Sequence, residues 1–232
     1  MHRIVFSLLL LLTLLPISLI GSTYYDPALS RSARDACRDA IAVTLERTAR
    51  VFPWFGSMPA PVFSFHAGAA RETPASPWAG GYYIRARHTI YIQHVPVLIE
   101  QGRLLATMRH EAVHAALAMA GTSPLPFWLE EGCALYFSGQ VIGRAPAGAR
   151  RARTLGALER NLLALTEQNT EEAWLEIRSS HAQARRVVST FVERFGQAHF
   201  INFLRVLKNG THFAQALASY YALLPEEVDA WL

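Results

Sequence analysis

The stretch His110-Glu111-Ala112-Val113-His114 restricts this chain more than any other. It lies inside residues 97–120, where Leu104, Leu105, Met108, Ala112, Ala115 and Met119 recur at helical spacing. That periodicity predicts one long helix ending at Gly121. On a helix, residues four apart lie one turn apart on the same face. His110 and His114 therefore reach a common point, and Glu111 stands one position round from His110. A neighbouring element must complete whatever that face begins, and the alanines at 112, 115, 116 and 118 leave room for close approach.

Two imidazoles and a carboxylate at this spacing suit metal-assisted hydrolysis. The imidazoles hold the ion, and the carboxylate works as general base on a water. Zinc in such a site takes three protein ligands and keeps one open position. A metzincin arrangement would need Gly at position 117 and His at 120, and Leu117 and Ala120 exclude it. The next predicted helix covers residues 127–137, with Pro126 at its start and Gly139 at its end. It carries Glu130 and Glu131, and a Glu on a neighbouring antiparallel helix completes a two-His, one-Glu site.

The pentapeptide followed by Trp128-Leu129-Glu130-Glu131-Gly132-Cys133-Ala134-Leu135-Tyr136 resembles the gluzincin metallopeptidases, in particular the small peptidase-MA-like proteins. The resemblance implies that Glu131, the Glu before Gly, is the third zinc ligand, that Glu130 is the variable position, and that Cys133 fills an unconstrained slot. It extends loosely to Arg194-Phe195-Gly196, Phe213, Ala216, Leu217 and Trp231, covering about residues 60–232. Relatives often carry Tyr fifteen residues before that Gly, where this chain has His181. A phenol there stabilises the oxyanion of a tetrahedral intermediate, and an imidazole can donate the same bond. The competing reading of His181 is a surface residue at a helix start.

These readings imply a zinc metallopeptidase acting on a peptide or protein substrate. His110, His114 and Glu131 bind Zn²⁺, Glu111 is the general base, and His181 stabilises the oxyanion. By family analogy the strand at residues 90–92 pairs with the substrate backbone. The alternative is a non-catalytic zinc-binding envelope protein that uses the same fold as a binding module. Glu111 argues against it, since a purely structural zinc site needs no base.

Around the motif, residues 27–52 read as a helix and 62–65 as a strand. Residues 67–81, rich in Ala, Gly and Pro, read as a loop. Residues 82–85 and 89–92 alternate as a β-hairpin. After a Gly/Pro/Ala connector at 139–148, helices are expected at 151–167, 170–178, 181–195, 198–208, 212–219 and 225–231. This order gives an α+β domain, zincin-like, with a small antiparallel sheet followed by a mostly helical remainder.

Residues 4–21 carry no charge and include the block Leu8-Leu9-Leu10-Leu11-Leu12. Residues 1–22 are expected to be a signal peptide or an N-terminal membrane anchor, leaving 23–232 as one domain. Export puts that domain in the periplasm, in the medium, or on the outer face of the inner membrane, which it would join through residues 4–21. An oxidising compartment permits a Cys37–Cys133 disulfide; the two are otherwise small buried hydrophobes. The net charge of +4 comes from 21 Arg and a single Lys, scattered apart from Arg150, Arg151 and Arg153. Without a continuous basic face, nucleic-acid binding is excluded. No residue pattern indicates an oligomeric state.

Overall fold

The computed structural model describes residues 22–70, 79–143, 148–149, 151–168 and 170–232. The apolar segment at 4–21, Arg150, and parts of the 67–81 loop and the 139–148 connector lie outside the described residues. Among the described residues, no helix is long and apolar enough to cross a membrane.

The fold is a four-stranded sheet followed by a mostly helical remainder. Strand β1 (Thr23–Tyr25) leads into helix α1 (Arg31–Val51), which is capped by the Ser30 hydroxyl accepting from Ala33 N. Strand β2 (Val62–Phe65) follows, and β3 (Gly81–Ile84) and β4 (Thr89–Ile92) form the hairpin. Strand order is β1-β2-β4-β3. β1 runs parallel to β2 and β2 parallel to β4; only β3 against β4 is antiparallel. The expected antiparallel sheet is thus a mixed one. Three residues are too few for periodicity to reveal β1, and a parallel pair needs only that α1 carry the chain back across the sheet.

The order also corrects the strand expected beside a substrate. β4 pairs with β2 on one side and with β3 on the other, so it cannot take a further strand. Its four residues are all buried, as an interior strand requires. β3 is the edge strand on that side of the sheet and lies over the helix that carries the pentapeptide. The hairpin turns through a 3-10 turn at Arg85–Arg87 and through His88, at φ 47°. The His88 ring bridges the Tyr83 hydroxyl (2.9 Å) and the Pro59 carbonyl (3.0 Å), which holds this non-glycine residue in the left-handed region.

The single helix expected at 97–120 is two, α2 (Val95–Glu100) and α3 (Leu104–Met119). Gly102, at φ 64°, takes the chain from one to the other, and Arg103 N donates back to Leu98 O at 2.7 Å. The apolar stripe continues across this corner, which is why periodicity missed it. Helix α4 (Phe127–Ser138) ends on Gly139. Then come α5 (Leu155–Gln168), α6 (Glu171–Phe195), α7 (Gln197–Lys208), α8 (Phe213–Tyr221) and α9 (Pro225–Asp229).

Helix α6 runs unbroken where two helices were expected. The expected helices at 170–178 and 181–195 left Ser179 and Ser180 between them, but both are buried and no Gly or Pro interrupts the turn. His181 is therefore in the middle of a helix and 16 % exposed at its side chain, not at a helix start on the surface.

Alanine and glycine set the helix spacing. Ala112, Ala115 and Ala116 are fully buried on α3, and Ala134 on α4. Gly132 is the tightest point: a Cβ there would lie 2.7 Å from the Ala184 carbonyl oxygen and 2.9 Å from Val188 Cγ2, both on α6. A chain of caps then fixes where α4 begins. The Glu159 carboxylate of α5 accepts from the Phe127 and Trp128 amides, each at 2.9 Å, and Asp229 of α9 accepts from the Leu155 amide at 2.6 Å. Cys37 and Cys133 are both fully buried and both free, so the permitted disulfide does not form.

Replacing Gly by Ala inside a helix normally stabilises it by up to ~1 kcal/mol. Gly132→Ala is expected to do the reverse, lowering stability by about 1–3 kcal/mol as α4 and α6 are pushed apart. Gly156→Ala meets only the Arg160 guanidinium, at 3.7 Å, and should leave stability unchanged or slightly higher. Urea midpoints for the two variants provide the comparison.

Candidate metal centre

Three helices meet at the site. α3 supplies His110, Glu111 and His114, α4 supplies Glu130 and Glu131, and α6 supplies His181. One donor atom from each of His110, His114 and Glu131 lies within 4.8 Å of the others, a group able to hold a metal ion. The two Nε2 atoms of His110 and His114 stand 3.1 Å apart. His110 Nε2 is 3.6 Å from Glu131 Oε2, and His114 Nε2 is 3.5 Å from Glu131 Oε1. Tetrahedral coordination at metal–ligand lengths of about 2.0–2.1 Å separates ligand atoms by roughly 3.3–3.4 Å. The observed spacings match that figure to within a few tenths of an ångström. The residues therefore fit a divalent ion by donor type, by convergence and by distance.

The rest of the cluster surrounds this triad. Glu130 Oε1 is 3.5 Å from His114 Nδ1, on the ring face away from Glu131. A carboxylate in that place orients the imidazole. Glu130, taken from the sequence as a merely variable position, has a contact of its own. His110 differs from His114 here: its Nδ1 is buried with no hydrogen-bond partner among the described residues. His181 Nε2 is 3.6 Å from Glu131 Oε2 but does not join the convergent group, so it stands beside the ligand set.

Burial and charge act together on these groups. Burial alone would depress the His114 imidazole, but the carboxylates of Glu131, Glu130 and Glu111 outweigh it and raise its pKa to about 10. Burial pushes the Glu131 carboxyl up, and His114, His110 and His181 overcome this to hold it far below the usual carboxylate range. Glu111 goes the other way: it is 5 % exposed, and burial, with help from Glu131, raises it despite the two histidines. Burial lowers His181, with Glu131 opposing and the other histidines adding to the fall. The two carboxylates are thereby driven apart, one held ionised among imidazoles and one moved toward neutrality, as expected of a ligand beside a base.

A cleft of about 1510 Å³ opens over the cluster. Its floor is α3, β3 forms one wall, and α6 forms the other through Trp174, Arg178 and His181. Gly81 brings β3 down onto the site: a Cβ there would lie 3.0 Å from Glu111 Cγ and 3.0 Å from the Tyr91 carbonyl oxygen. Sequence alone gave no sign of this role, because it depends on strand order. Nor did it single out the Glu159 cap, whose partners are some thirty residues away.

No family model matches the chain, and no curated protein or solved structure is significantly similar to it.

Two outcomes test the centre. Glu131→Gln should abolish tight zinc binding, while Glu130→Gln should weaken it only about ten-fold, as loss of an orienting carboxylate does; competition against a chromogenic chelator measures both. The second is a change of sign with pH. In the metal-free chain the His114 pKa lies above its ordinary value of 6.5, so its ion pair stabilises fully below that pH and is lost as pH climbs through about 10. Raised Glu111 acts in the same direction. The chelator-treated chain should melt at progressively lower temperature between pH 6.5 and 10. Zinc competes with protons for the same nitrogens, so the extra stability that zinc confers should grow over this range. Thermal melts with and without zinc check both slopes.

Proposed function

We propose that this chain is an exported zinc-dependent metallopeptidase of the gluzincin type, with a zincin-like fold. The observation that carries the proposal is the convergence of His110, His114 and Glu131 at tetrahedral ligand spacing beside the buried carboxylate of Glu111. Site-forming sequence and site geometry coincide: the residues resembling the gluzincin motif are the ones that meet in space.

His110, His114 and Glu131 would hold the ion. A bound Zn²⁺ supplies Lewis acidity, lowering the pKa of water toward neutrality and polarising a carbonyl. The protein's own residues then handle protons and position. Glu111, with its raised affinity for a proton, accepts one from the attacking water and delivers it to the leaving amine. His181, on the opposite wall, donates an Nε2–H bond to the developing oxyanion. A peptide laid in extended form along β3, the edge strand on that side, brings its scissile carbonyl over α3. Gly81 sets how closely that strand passes Glu111.

The placing of His181 inside the cleft favours an enzyme over a binding module, because a structural metal site needs neither a base nor a donor facing it. Export rests on the composition of residues 4–21.

A broad peptide library incubated with the zinc-loaded chain tests the proposal. Glu111→Gln should keep zinc and lose essentially all turnover. His181→Ala should keep zinc and lower kcat by roughly 10²–10³-fold, the size of a lost oxyanion donor. A zinc-loaded wild type that cleaves no member of the library would overturn the peptidase reading and leave the binding module.

A further inference from the structure

Of the 22 cationic side chains, 21 are arginine, and the single lysine is Lys208. It ends α7, and it is 4 % exposed although it lines the same cleft as the metal ligands. Its ammonium has no hydrogen-bond or ion-pair partner among the described residues. The stem is packed away, while the ammonium itself is not sealed off and opens on the cleft, where an anion can reach it.

Packing fixes this residue firmly. Gly121, just past α3, presses against the Lys208 carbonyl so closely that any Cβ would collide with it, and Ser123 N donates to the same carbonyl at 3.3 Å. Arg85, from the end of β3, lines the cleft at this end too. Its guanidinium donates to the Ala118 and Gly121 carbonyls, at 3.2 and 2.9 Å, closing the C-terminus of α3. Helix capping accounts for Arg85. It does not account for Lys208, which donates to none of those carbonyls. Burial, then the Arg85 charge, lowers the Lys208 pKa, against a smaller opposing effect of Glu130.

We propose that Lys208, with Arg85 beside it, forms an anion subsite at the α3 C-terminal end of the cleft that receives a carboxylate of the substrate. For its natural ligand this rests on the peptidase reading. One ammonium matches one carboxylate, while the Glu130 carboxylate at the same end disfavours a dianion such as phosphate. His114 and Ala118 are one turn apart, roughly 6 Å along α3. The bound carboxylate therefore lies beyond His114, toward the C-terminal end of α3. It belongs to an Asp or Glu side chain or to a chain terminus.

Fluorescence anisotropy on the zinc-loaded Glu111→Gln chain, which binds without turnover, tests the subsite. Dye-labelled pentapeptides differ only in carrying Glu or Gln at each position, and in a free or amidated C-terminus. We expect one Glu position, or the free terminus, to bind about ten-fold more tightly than its neutral isostere. Lys208→Met should abolish that preference and leave the neutral peptide's affinity unchanged; Lys208→Arg should retain part of it. Lys208→Gln replaces the Met variant if that one misfolds. Equal affinity for charged and neutral peptides, or a preference surviving in Lys208→Met, would overturn the subsite. A second arm uses glutarate, which has no peptide bond, on the metal-free chain followed by NMR. Binding lost in Lys208→Met upholds the subsite even if no peptide binds and the peptidase reading fails. Absence of Lys208-dependent binding of glutarate and of every peptide overturns it. Cleavage assays failing while the peptide preference holds would count against catalysis alone.

Discussion

The site depends on how closely α4 can approach α6. Gly132 faces the Ala184 carbonyl with no room for a methyl group between them. Glu131, the preceding residue on α4, is brought to the imidazoles of α3 by the same crossing that brings His181 of α6 to Glu131. A wider crossing would move Glu131 and His181 away from each other and from α3. Small residues on three helices do here what a ligand-binding loop does elsewhere: they let rigid backbones set the donor atoms, so the geometry does not depend on long side chains finding one another.

Three carboxylates and three imidazoles meet at one junction, all but Glu130 largely withdrawn from water. In such a medium each charge is costly unless its neighbours answer it. The arrangement answers unevenly. Glu131 is flanked by His110, His114 and His181, and His114 lies between Glu131 and Glu130. Glu111 shares the junction without an ion pair of its own among the described residues. Burial pushes both carboxyls up: around Glu131 the imidazoles overcome it and keep the group ionised, whereas at Glu111 burial prevails and leaves a stronger base. One pentapeptide thus supplies two imidazoles able to hold an ion and, between them, a carboxylate with a raised affinity for protons, because that carboxylate meets a different environment.

Much of this was legible in the residues, for reasons that also explain what was not. His110 and His114 are four apart on a strongly periodic segment, so their common face follows from helix geometry alone. Glu131 was legible through its setting, Trp128 to Tyr136, and through the short span between α3 and α4. What failed depended on contacts between distant segments. The apolar stripe of residues 97–120 carries no signal of the corner at Gly102, since both α2 and α3 bury the same side. The gap expected between residues 178 and 181 does not exist, because Ser179 and Ser180 are buried by distant segments that local pattern does not reveal. Strand order is the clearest case. Alternation identified β4 correctly as a strand but could not tell that β2 would pair with its far edge, so a strand paired on both sides was expected to take a further one.

Lys208 belongs to this second kind of feature, and its position adds a direction to the cleft. In sequence it is an ordinary cation in the last turn of an amphipathic helix, a place where charge usually opposes the helix dipole in water. The approach of Gly121 to its backbone packs the residue against the end of α3 and leaves its side chain lining the cleft. The candidate ligands His110 and His114 occupy the middle of α3, Gly81 controls one wall there, and Lys208 and Arg85 lie toward its C-terminal end. A guanidinium is bulkier and holds its proton in any environment. An ammonium on a slim stem concentrates its charge at one point. The one place where the chain departs from arginine is thus a place where the backbone is packed under a glycine and the side chain lines the cleft.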